Sequence, residues 1–80
     1  MDYNINDIEK ILNFTSWTPR KKIDTLLHMD CIMYAQLGID STKKEKEEVK
    51  KNSRKIYRGI RVINKRLGDE FLLAMDKSEL

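Results

Sequence analysis

VKKNSRKIYRGIRVINKRL, residues 49–67, is the stretch that decides the fold. At 100° per residue, Val49, Ile56, Ile60, Ile63 and Leu67 fall within about 40° of one line, which is the period of a helix and not of a strand. The opposite side, between about 100° and 260°, carries Lys50, Lys51, Arg54, Lys55, Arg58, Arg61, Lys65 and Arg66. One face is built to be buried and the other is cationic. Upstream the pattern runs back to about Thr42. Downstream Gly68 reads as the stop, so this helix is expected to span about 42–67, interrupted only by Gly59.

Working outward, Thr18-Pro19 marks another helix start, because proline at the first helical position loses no hydrogen bond and has its torsion preset. Ile23, Leu26, Leu27, Tyr34 and Leu37 recur at helical spacing, and Gly38 is placed to close the helix in the left-handed conformation, giving a span of about 19–37. Asp40 or Ser41 is then expected to cap the basic helix. The short link makes the two helices an antiparallel hairpin, its seam including Leu27, Tyr34, Leu37, Ile56, Ile60 and Ile63. The earlier helix is apolar beyond one stripe, since Met29, Ile32 and Met33 join the others, so it is expected to be central. These three are either core or an interface patch for a protein partner. Asp30 in that sector needs a partner, and an arginine from the basic helix is the expected one.

Short helices flank the hairpin. Asn4 or Asn6 is able to cap one over about 5–14, with Glu9 suiting a capping box after Asn6. Phe71, Leu72 and Met75 outline another over about 69–75. The fold expected is all-α: a small helical bundle built on a long antiparallel helical hairpin, with residues 1–80 forming one domain.

Eighty residues support one core, and a core of this size rarely supplies more than roughly 3 to 5 kcal/mol, so self-association is an expectation. The one cysteine, Cys31, has no internal partner, and no segment reads as a signal peptide, which points to a reducing setting. The longest uncharged stretch, Cys31 to Ile39, is far short of a membrane span. The net charge of +3 hides a segregation: residues 43–66 hold eleven basic and three acidic side chains, a local balance of +8, and the rest of the chain stands at −5.

The cationic face is the strongest functional signal. Like charges four apart on a helix repel, and no acid lies between Lys50 and Gly68 to offset them. Such a face meets DNA phosphates or an acidic protein surface, or is simply solvated. A helix-turn-helix fits poorly, because the basic helix is long and its first turn, Lys43-Lys44-Glu45-Lys46, offers few base-reading side chains. Asp24, His28 and Cys31 share a helix face at i, i+4 and i+7, but a fourth metal ligand is missing, so no metal or cofactor is expected. The same His28 and Cys31 as base and thiol lack any oxyanion-stabilising loop or cleft. No enzyme, no small-molecule substrate and no membrane partner are expected.

The runs Ser16-Trp17-Thr18 through Lys22-Ile23-Asp24-Thr25-Leu26-Leu27, and Leu37-Gly38-Ile39-Asp40-Ser41-Thr42 through Ser53-Arg54-Lys55-Ile56-Tyr57-Arg58, resemble small proteins encoded by tailed phages of marine cyanobacteria. The resemblance implies a phage product acting in the host cytoplasm or in the virion. Together these readings lead to a non-catalytic helical interaction or assembly protein, partnered by itself or a larger phage protein, with a basic face available to DNA. The alternatives are a host-takeover protein that binds a host enzyme, and a sequence-nonspecific nucleic-acid-binding regulator.

Overall fold

The computed structural model describes residues 3–77. It is all-helical: a 3₁₀ turn at Ile5–Asp7, then α1 (Ile8–Leu12), α2 (Pro19–Ala35), α3 (Lys43–Ile63) and α4 (Lys65–Lys77). Local chemistry explains most starts. Asn4 caps the 3₁₀ turn by accepting from the Asn6 amide, and Asp7 closes a capping box with the Asn4 amide, so the box forms at Asn4 rather than at Asn6 with Glu9. Thr18 Oγ1 accepts from the Lys21 amide at 3.1 Å, with Pro19 at the first helical position.

The first helix is shorter than the expected 5–14 and the fourth longer than the expected 69–75, and three boundaries of α2 and α3 also differ from the sequence expectation. α2 ends at Ala35 with Gln36 as its C-cap, and no described glycine takes a positive φ, so Gly38 does not close it; its amide instead donates to Ser41 Oγ at 2.8 Å within the link. The cap of α3 is Thr42, whose hydroxyl accepts from the Glu45 amide, and not Asp40 or Ser41. α3 stops at Ile63 rather than at Leu67. Asn64 turns to an extended backbone, φ −141° and ψ 99°, and its side chain accepts from the Leu67 amide at 3.1 Å, starting α4 at once. Lys65, Arg66 and Leu67 therefore belong to the fourth helix. Gly68 lies inside that helix, buried: a Cβ there would overlap the Arg61 backbone, so the glycine serves the close approach of α4 to α3.

α3 is the central helix, packed against α1, the 3₁₀ turn, α2 and α4, which corrects the expectation that α2 is central. Partners on α2 and α3 fall in reverse order along the chain. Asp30 meets Ser53 and Tyr57, Ile23 and Leu27 share a groove with Ile63, and Met33 and Leu37 share one with Val49. The two helices are antiparallel. The same holds for α3 and α4, where Arg61 meets Asp69 and Arg54 meets Asp76. α2 and α4 thus run in the same direction on the two flanks of α3.

The fully packed core consists of Ile11 from α1, Leu26 and Met29 from α2, and Ile56 and Ile60 from α3. Of the seam read from sequence, Ile56 and Ile60 are buried, Leu27, Leu37 and Ile63 are half-buried, and Tyr34 is 41% exposed. α2 presents Leu26, Met29 and Asp30 inward, which rotates Tyr34 to its flank. The molecule is a slab with extents of 40 × 28 × 15 Å. With a helix and its side chains about 10–12 Å across, a body that thin leaves one flank of each helix outside.

Candidate interaction surfaces

The basic face is present but divided. Arg61 Nε lies 2.9 Å from Asp69, Arg54 3.9 Å from Asp76, and Arg66 3.5 Å from Glu70, the last pair within α4 itself. α4 folds back along α3 and sets its own acids against one edge of the cationic face. Lys50 is half-buried, and Lys65 sits exposed at the start of α4. Lys51, Lys55 and Arg58 remain exposed on α3, within about 60° of one another by helical geometry, with no ion pair among the described residues. Val62, 75% exposed, continues their line. The acids that quench the arginines were visible in sequence, but their registration on α3 follows from the reversal at Asn64.

The three apolar candidates on α2 separate. Met29, 4% exposed, is core and not an interface residue, because α2 turns it toward Ile56 and Ile60 in the buried cluster. Met33 is half-buried against that cluster, and Ile32 is 37% exposed. Ile5 and Tyr3 share a groove with all three, so the N-terminal turn covers part of what the sequence left open.

Asp30 is held differently from the expectation. It is buried, and its partners are hydroxyls: Ser53 Oγ donates to Oδ1 at 2.6 Å and Tyr57 OH to Oδ2 at 2.7 Å. No arginine reaches it, since the arginines of α3 point away from the apolar seam. On the helical projection Ser53 and Tyr57 lie at about 40° and 80° from Val49, beside the seam, and that placement is the signal that could have identified them. Burial, together with the Asp30 carboxylate, pushes the Tyr57 phenol up to about 12. Its ring stacks on Phe71 of α4, with centroids 5.2 Å apart, so one residue ties three helices.

Sequence reading also missed an aromatic cluster at the α1–α2 connector. Trp17 lies 4.7 Å from Phe14 and 5.7 Å from Tyr3, with Lys21 Nζ 4.3 Å above the indole. Lys22 Nζ donates to the Leu12 carbonyl at the end of α1. Asp24, His28 and Cys31 are all exposed, and among the described residues no group of three His, Cys, Asp or Glu side chains gathers to hold a metal ion. No described helix is long and apolar enough to cross a membrane. No protein-family model matches the chain, and no curated protein or solved structure matches it either.

Proposed function

We propose that this chain is a non-catalytic helical interaction protein that docks on nucleic-acid phosphates through the part of the α3 face left outside the α4 ion pairs. The observation that carries the reading is the exposed line of Lys51, Lys55 and Arg58, which forms no ion pair among the described residues, although Glu9 lines the same groove as Lys55 and Arg58. Each cation that neutralises a phosphate releases condensed counterions, and such contacts position a protein without reading sequence. In the wider proposal the chain is a phage-encoded assembly or virion-associated component. That part is supported only by the resemblance of the two runs described above.

The test is Lys51→Glu, Lys55→Glu and Arg58→Glu together, with circular dichroism to check that the exposed substitutions leave the fold intact. Unrelated duplexes should compete equally for the parent protein. Three phosphate contacts give a log–log salt slope of roughly −3, and the triple variant should lose binding at low salt. Parent-like binding by the variant, or no binding by the parent at low salt, overturns the reading.

A further inference from the structure

We propose that α4 is exchanged between two copies of this chain: α3 and α4 straighten into one helix at Asn64, and the α4 of each copy packs on the α3 of the other. Antiparallel helices are ordinarily joined by a link of about 2–5 residues. Here Asn64 alone lies between the end of α3 at Ile63 and the start of α4 at Lys65. It keeps a helical hydrogen bond on each side, its amide donating to the Ile60 carbonyl at 2.7 Å and its carbonyl accepting from the Gly68 amide at 3.0 Å. What departs from the helix is its torsion pair, φ −141° and ψ 99°, against helical values of about −63° and −42°. Bringing that one residue into line gives up its side-chain bond to the Leu67 amide. In return the carbonyls of 61–63 meet the amides of 65–67, which the reversal leaves at two helix ends.

The faces of the two helices then agree. On a straight helix with Val49 at zero and 100° per residue, the α3 groups that meet α4 stand at about 80° for Tyr57, 120° for Arg61 and 140° for Arg54. The α4 side that meets α3 carries Phe71 at about 40° and Gly68 at about 100°, with half-buried Met75 and Leu72 at about 80° and 140°. A hairpin does not need this coincidence, because a reversal sets the two phases independently. A pair of straight antiparallel helices does need it. The spacing fits as well: Arg61 and Asp69 each lie four residues from Lys65, Arg54 and Asp76 each eleven, and Tyr57 and Phe71 each seven from Asn64. Two straight helices crossing at the hinge remake these contacts between copies, and the pairing is isologous, closing at two.

α4 is also the layer able to leave. The fully buried apolar residues among those described come from α1, α2 and α3, so detaching α4 does not open that cluster. What α4 then needs is the α3 of this same sequence, since Gly68 accepts a close backbone approach such as that of Arg61, and its acids stand opposite Arg54 and Arg61. Lys51, Lys55 and Arg58, at about 200°, 240° and 180°, lie off the shared face, so exchange does not depend on phosphate docking.

The experiment is sedimentation velocity of the full chain over the micromolar range, refolded from urea at each concentration so that exchange reaches equilibrium, and kept reduced because Cys31 is exposed and free. The parent should populate a dimer. Inserting Gly-Ser-Gly after Asn64 relaxes the reversal and breaks the straight helix, and should weaken the dimer at least about tenfold; Asn64→Ala removes the Leu67 cap and favours the straight helix, and should tighten it by about as much. Exchange itself is read by mixing. Arg54→Asp with Arg61→Asp sets acid against acid between α3 and α4, and Asp69→Arg with Asp76→Arg sets arginine against arginine. Only exchange between the two variants restores acid against arginine. At physiological salt, which screens attraction between the chains as wholes, their equimolar mixture should dimerise at least about tenfold more tightly than either alone. A monomeric parent, an inserted link that leaves the dimer as tight, or a mixture no tighter than its components would each overturn the inference.

Discussion

Asp30 sits inside the slab with two hydroxyl donors and no counter-charge within ion-pair distance among the described residues. Hydrogen bonds to a charged group are stronger than neutral ones, and removing one donor leaves a buried acceptor unsatisfied. Tyr57→Phe should therefore destabilise the fold by about 1–3 kcal/mol in urea unfolding at neutral pH. The same hydroxyl sets an alkaline limit. Tyr57 is raised to about 12 in the folded chain against 10.0 for the free side chain, so the folded state favours the neutral phenol. Its contribution is fully present below pH 10 and is lost as pH rises toward 12. The parent should lose stability over that window, and Tyr57→Phe should lose less over the same interval. Equal losses in the two proteins would show that Tyr57 does not govern the alkaline transition.

At the scale of elements, what is local was legible and what is tertiary was not. Thr18-Pro19 announces α2 through its own side chain and ring, and the Ile56 and Ile60 face announces burial through period alone. The break at Asn64 left no such mark, because Leu67 falls in phase with Val49 and Ile60 although it belongs to a helix running the other way. Gly68 looks like a terminator in sequence for the same reason: its value lies in the Arg61 backbone it touches, which no neighbour in sequence reveals. The consequence reaches the surface. The cationic residues were all readable, but the pairing of Arg54 and Arg61 with α4 acids depends on that reversal. Replacing Asp69 and Asp76 by Asn should release both arginines. Duplex binding should tighten at low salt, with a log–log slope steeper by up to about 2. An unchanged slope would mean that the freed arginines do not reach the phosphates.

At the scale of the whole molecule, the five fully packed apolar residues among those described come from α1, α2 and α3, while α4 contributes half-buried side chains and the buried Gly68. A body 15 Å thick has few positions shielded on every side, so each counts heavily. Ile60, completely buried at the centre of α3, should cost roughly 2–5 kcal/mol on truncation to Ala, and a near-neutral effect would contradict its close packing. Denaturant titration followed by two signals provides the measurement, and the connector aromatics make one of them specific. The chain has a single tryptophan, whose indole meets Phe14, Tyr3 and the Lys21 ammonium and packs against the buried cluster of α1, α2 and α3. Its fluorescence is therefore a built-in optical reporter of the junction between the first two helices and of the core beneath it, read without any label while ellipticity follows the helices together.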